Sequence, residues 1–315
     1  MAIFSIYTYQ FQRINKQEEL NLEFESDTPK ACTDELWEHK QEAFGRLFDK
    51  GSMLEFKGNK DSNGNEQVYI HEVVYNEGNI IIMKFANHVK KKITNAHLKE
   101  TELDDYPNCY VVFDNRHGIQ RMLIEKKNKA WQRSGDKPGT QRVADILTAN
   151  FDRIFTPQGM HFISGDGPVY AVRDFWDEVK KYPQGISRVS FNFPAPNLGR
   201  LLTLADGIDA VRAETGGSYD ADIKAPTGGV LALSPEKTHF ESMVKLSSAG
   251  GYQIKAYPKG GTTCLTITGG ETEQQAVTIE LPDNLLQLLA VPQLFTRENL
   301  ELLVTALNSI KNVYE

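Results

Sequence analysis

Large side chains fall on both parities of the first 14 residues: Ile3, Tyr7, Tyr9 and Phe11 on one, Phe4 and Ile6 on the other. A period of two with bulk on each face predicts a strand covered on both sides. Thr33 is placed to cap a helix reaching about Lys50. Leu36, Lys40, Phe44, Leu47 and Phe48 recur at helical spacing, and Gly51 ends the pattern. Strands follow at 53–56, 68–75 and 80–85, the last two joined by Asn76-Glu77-Gly78-Asn79. Residues 110–113 and 119–125 flank Asn115-Arg116-His117-Gly118, a second hairpin signature. A loop from Trp131 to Gly139 closes this run of strands. Thr140 then caps a helix with Val143, Ile146, Leu147, Phe151 and Ile154 on one face, and another helix covers 170–181.

The second half opens with a strand at 188–193, broken by Pro194-Ala195-Pro196. Asn197 caps an expected helix carrying Leu198, Leu201, Leu202, Ala205, Ile208 and Val211. Ser234-Pro235-Glu236 reads as another helix start, with serine at the cap and proline at the first turn. Five Gly-Gly pairs lie between Gly216 and Gly270, suited to tight connections. Short strands at 252–257, 263–267 and 276–280 read as one antiparallel meander, and a C-terminal helix begins at Thr296. Hairpins and meanders with helices before and after them predict an α+β protein rather than a doubly wound parallel sheet. Two domains are expected, 1–185 and 186–315, each an antiparallel sheet with helices packed on one face.

Composition narrows the class. The chain has 315 residues, 40% hydrophobic and 24% charged, ordinary globular usage. No apolar run approaches the roughly 18 residues of a membrane helix, and the N-terminus lacks the basic start and apolar core of a signal peptide. Cys32, Cys109 and Cys264 are too widely spaced for a metal knuckle, and their odd number favours a reducing compartment. A cytoplasmic protein without a membrane partner is the expectation. The net charge is −7, yet residues 84–142 hold 13 basic and 7 acidic side chains. A basic segment on an acidic chain is an electrostatic footprint for phosphate backbones. The candidate nucleic-acid contacts are Lys90, Lys91, Lys92, Arg116, Arg121, Lys126, Lys129, Trp131 and Arg133. Trp131, set among lysines, reads either as a cap on the core or as a stacking contact with a base.

Glu125-Lys126-Lys127 at a strand end resembles the Glu-x-Lys of metal-dependent nucleases of the PD-(D/E)xK type. Two carboxylates there would hold Mg²⁺ against a phosphodiester, and the lysine would stabilise developing charge. Asp114 is the tempting second carboxylate. A turn at 115–118 places it opposite Ile119, far along the ladder from Glu125, so Asp105 (or Asp104) is preferred. The catalytic candidates are therefore Asp105, Glu125 and Lys127, with Glu42 as a further carboxylate; otherwise no cofactor is expected. No phosphate-cradling glycine loop, nucleophile elbow or His-Glu-x-x-His pair is present. Asp220-Ala221-Asp222 matches a sugar-nucleotide transferase motif in spacing alone. The leading expectation is a non-catalytic nucleic-acid-binding accessory protein, with a prokaryotic defence or mobile-element system as its expected setting. Its alternatives are a protein-interaction subunit or homo-oligomer, and the Mg²⁺-dependent nuclease.

Overall fold

The first strand, β1 (Ala2–Arg13), is buried on both parities from Phe4 to Ile6 and from Tyr9 to Phe11, as its residue pattern predicts. The computed structural model describes residues 2–14, 31–60, 66–94, 100–127, 131, 139–165, 167–193, 219–260, 265–267, 278–281, 285, 288 and 296–310. After β1 come α1 (Asp34–Glu38), α2 (Lys40–Arg46), β2 (Phe56–Lys60), β3 (Glu66–Glu77), β4 (Ile80–Ala86), β5 (Val89–Thr94), β6 (Glu100–Asp105), β7 (Asn108–Asp114) and β8 (Arg121–Glu125). Then follow α3 (Gly139–Phe155), β9 (Met160–Ser164), α4 (Val172–Lys180), β10 (Ile186–Phe193), β11 (Tyr219–Lys224) and α5 (Thr238–Gly250). The chain ends with β12 (Ile254–Pro258), β13 (Leu265–Ile267), β14 (Thr278–Leu281) and α6 (Arg297–Ser309). Helices and antiparallel sheets make this an α+β protein. No helix among the described residues is long and apolar enough to cross a membrane.

The chain forms two compact units. Unit 1 gathers residues 1–5, 39–150 and 278–307, and unit 2 gathers 6–38, 151–277 and 308–315. In unit 1 the strand order is β14-β1-β8-β7-β4-β3-β2. β4 lies inside the sheet between β7 and β3, and Ile80 to Met83 are fully buried. The β3–β4 turn is tight because Gly78 and Asn79 both take φ of 61°, the conformation of a two-residue type I′ hairpin. Phe44 of α2 and the nearby Phe48 pack on Phe113, with ring centroids 5.3 and 5.6 Å away. Asn150 on α3 clamps β2, accepting from the Lys57 N–H at 2.8 Å and donating to its carbonyl at 2.9 Å.

Unit 2 pairs the later part of β1 with β9, from Tyr9↔Ser164 to Arg13↔Met160. Phe162 stacks on Tyr9 at 5.0 Å, meets Phe11 edge-on and lies tilted against Phe151. Beside this lies a four-stranded sheet, β11-β10-β12-β13. Val189, Phe191, Ile254 and Ala256 form one core with Phe175 and Trp176 of α4 and Val244 and Leu246 of α5. The other face is polar: Arg188, Ser190 and Asn192 oppose Lys224, Asp222 and Asp220.

Three expectations are corrected. The 276–280 strand does not continue a meander with β13; β14 pairs with β1, Ala2↔Leu281 to Ser5↔Thr278. Ser234 starts a turn, and α5 begins only at Thr238. Residues 89–94 and 100–105, which lacked a strand signature, are strands β5 and β6. The helix expected at 198–211 lies outside the described residues.

Candidate interaction surface

β4 and β7 pair from Ile80↔Asp114 to Ala86↔Asn108, and β5 and β6 pair from Val89↔Asp105 to Thr94↔Glu100. The offset is the same throughout, so no residue is inserted between the ladders. Their interruption falls at Pro107, which has no N–H to donate. The Asn87 N–H still bonds the Pro107 carbonyl at 3.0 Å. β4 to β7 is thus one long hairpin. Its inner half sits in the sheet between β3 and β8, and its outer half, six residues per strand and about 20 Å long, forms a separate two-stranded ribbon. Among the described residues of this arm, all are exposed except the half-buried Val89.

Strand alternation sorts the arm into two faces. The first continues from Lys84, Ala86 and His88 to Lys90 and Lys92, with Tyr110, Tyr106, Asp104, Glu102 and Glu100 opposite. The His88 and Tyr106 rings stack at 5.1 Å, and a His88 ring nitrogen bonds Asp104 at 2.7 Å. Val68 and Ile70 of β3, about half exposed, share this face through the Ile70↔Ala86 pair. The second face continues from the buried Phe85 and Cys109 to Val89, Lys91 and Ile93, opposite Asp105, Leu103 and Thr101. Ile93 is 43% exposed and Leu103 is 51% exposed. The arm therefore prolongs the apolar face of the sheet beyond the core that covers it.

The nucleic-acid candidates separate into three places. Lys90, Lys91 and Lys92 lie on the arm. Lys90 pairs diagonally across the ribbon with Glu102 at 3.9 Å and Lys92 with Glu100 at 3.6 Å. Arg116 and Arg121 meet at Asp114, at the far end of β7. Arg116 holds the fully buried Asp114 carboxylate with two hydrogen bonds of 2.7 Å, which raise the guanidinium's already high pKa. Lys126 follows β8, its N–H donating to the Ile3 carbonyl at 2.7 Å. Lys129 and Arg133 lie outside the described residues. Trp131 is 2% exposed, stacked face to face on Phe85 at 5.3 Å and tilted against Tyr69. Of its two readings, the cap on the core is the one the structure shows.

The nuclease candidates fall on two different sheets. Asp105 is exposed on the arm, opposite Val89. Glu125 is buried in the main sheet, where it accepts the Tyr110 N–H at 3.0 Å and pairs with Lys127 at 3.4 Å. The Lys127 ammonium also lies 5.8 Å from the centre of the Tyr110 ring. The β7–β8 register is corrected by two residues: Asp114 opposes Arg121, not Ile119. The turn runs from 115 to 120, and Gly118 and Gln120 take positive φ within it. Asp114 remains four positions along the ladder from Glu125, about 14 Å. Glu42 pairs instead with Arg46 and His39 on the surface of α2. No group of three or more His, Cys, Asp or Glu among the described residues could hold a metal ion. Asp220 and Asp222 bond across the strands to Asn192, Ser190 and Arg188.

Sequence reasoning missed Ile93 and Leu103 as surface features. The available signal was charge symmetry. Three lysines and a run of four acids are spaced so that one hairpin brings them face to face. No family model matches the chain, and neither a comparison with curated proteins nor one with solved structures finds a match.

Proposed function

We propose that the chain is a non-catalytic interaction subunit of a multi-component assembly, engaging protein through the β5–β6 arm and the open sheet face at its root. One observation carries this reading. Among the described residues, the lysines on that face each have a carboxylate within 4.0 Å: Lys57 with Glu55, Lys84 with Glu72, Lys90 with Glu102, Lys92 with Glu100 and Lys127 with Glu125. A phosphate backbone would have to displace these partners, whereas nucleic-acid affinity rests on unmatched positive charge. The exposed side chains Val68, Ile70, Ile93, Leu103 and Tyr106 offer the kind of surface protein partners cover.

A second reading, a nucleic-acid-binding accessory protein, has its own support. Lys84, Lys90, Lys92 and Lys127 share one face with the exposed Tyr106 ring, and the 84–142 segment is net basic. A deletion replacing residues 89–105 with an Asn-Gly turn separates the two. The expected result is nuclease-resistant capture of a partner from cells of origin, lost on deleting the arm, without probe binding at about 150 mM salt. Salt-sensitive retention of DNA or RNA, or capture abolished by nuclease, would establish the second reading instead.

A further inference from the structure

We infer that the outer edge of β5 is a docking edge for an extended peptide segment of a partner, with the pattern apolar, any, acidic, any, apolar. The inference rests on the protein-interaction reading above and names the chemistry of the partner. Among the described residues β5 pairs with β6 alone, so one row of its N–H and C=O groups has no strand partner. A two-stranded ribbon is marginal in water, and a third strand with an apolar face stabilises it. Adding a strand at an open edge supplies main-chain hydrogen bonds, while alternate side chains set specificity.

The side chains of β5 define that specificity. On one face Lys90 and Lys92 already have Glu102 and Glu100 beside them, so they ask no charge of a new neighbour. On the other, Lys91 opposes Leu103 and has no carboxylate partner among the described residues. It stands between Val89 and Ile93, two positions away on either side. A strand against this edge would place three side chains next to Val89, Lys91 and Ile93. Apolar residues suit the first and third, and one carboxylate suits the second. An incoming strand lies about 4.8 Å from β5 and twice that from the acids of β6, so the Lys91 charge dominates over the screened farther row. The β6 edge presents no such triplet: Thr101, Leu103 and Asp105 end on a carboxylate beside Val89.

The test uses the full chain and two fluorescent peptides, Thr-Ile-Thr-Glu-Thr-Ile-Thr and its Glu-to-Lys counterpart, titrated by anisotropy. The acidic peptide is expected to bind at least tenfold tighter, and to slow amide exchange across Val89–Thr94. Lys91→Glu should reverse the preference, with an unchanged Tm showing that the fold is intact. Equal binding of both peptides, preference for the basic one, or no reversal in Lys91→Glu overturns the inference. Absence of binding at millimolar peptide overturns it too, and would make the lysines gatekeepers against edge pairing. Arm-dependent partner capture that persists in that case would leave the interaction reading standing without this docking edge.

Discussion

Arg116 tests whether basic side chains of the 84–142 segment serve the fold rather than a phosphate. Asp114 is fully buried, and Arg116 holds it through two hydrogen bonds of 2.7 Å while keeping 24% of its own side chain exposed. Removing one partner of a buried pair costs about 3–5 kcal/mol, most of it from the stranded charge. Water reaching the exposed part of Arg116 lowers that to roughly 2–4 kcal/mol. With a urea m-value of about 2 kcal/mol/M, Arg116→Ala should lower the unfolding midpoint by about 1–2 M. Trp131 is the tryptophan of unit 1, and Trp37 and Trp176 lie in unit 2. Fluorescence in a Trp37→Phe, Trp176→Phe background therefore follows unit 1 by itself. The double change Arg116→Met, Asp114→Asn removes both charges and should recover about half of the loss, the signature of a stranded carboxylate. A single-variant loss below about 0.5 kcal/mol, the range of ordinary surface changes, would refute this account and return Arg116 to the pool of ligand-binding cations.

Other outcomes follow from particular contacts. Gly251 has φ of 67°, and a Cβ there would lie 2.3 Å from the Gly167 carbonyl oxygen, whereas Gly228 has φ of 75° and open space. Gly251→Ala should cost about 3 kcal/mol and Gly228→Ala about 1 kcal/mol; equal losses on Trp176-monitored denaturation would contradict the close approach. The Arg188 guanidinium, with Ser190 and Lys224, holds the Asp222 carboxyl down to about 2 from its ordinary 3.8. A depressed carboxylate stabilises the fold above pH 4 and loses that contribution as pH falls from about 4 to 2. On this partly exposed group solvent screening keeps it to roughly 1 kcal/mol or less. Arg188→Gln should return the Asp222 titration toward 3.8, followed by carboxyl carbon shifts in NMR. Burial, then the Glu125 charge, pushes the Cys109 thiol up to about 12 from 9.0. Its alkylation at pH 8 should be slower in the native protein than in urea by on the order of a thousandfold. Labelling at equal rates, read by mass spectrometry, would show an open site.

Legibility in the sequence tracked burial. β1, β3, β4 and α3 were readable because one or both of their faces meet a core, and burial imposes a period on residue choice. The arm was not readable for the converse reason. Lys90-Lys91-Lys92 and Glu100-Thr101-Glu102 meet no core, so no apolar alternation was written there. Their pairing follows from the continuing register of β4 and β7 and from charge opposition across the ribbon. The β7–β8 register slipped because Ile119 is apolar and reads as strand. It belongs instead to a turn in which its N–H bonds the Arg116 carbonyl at 3.0 Å. β14 was visible as a strand, yet its partner was not, since four residues carry too little pattern to choose between β13 and β1.

The same logic explains why the site was only partly legible. Lysine density along the chain was real, but function depends on which charges the fold leaves unmatched. Folding set Arg116 against Asp114, Lys127 against Glu125, and Lys90 and Lys92 against Glu102 and Glu100. Each opposing carboxylate lies between 2 and 12 residues away, within the same hairpins, and linear charge counting over a wide window could not assign it. Lys91 differs from its neighbours only by parity: one position along the strand turns it to the face where the opposite residue is Leu103. A one-residue change of register would exchange the matched and unmatched lysines. The specificity proposed for the arm is therefore set by the β4–β7 ladder that fixes its register, and perturbing that ladder should change peptide binding at the arm without touching any residue on it.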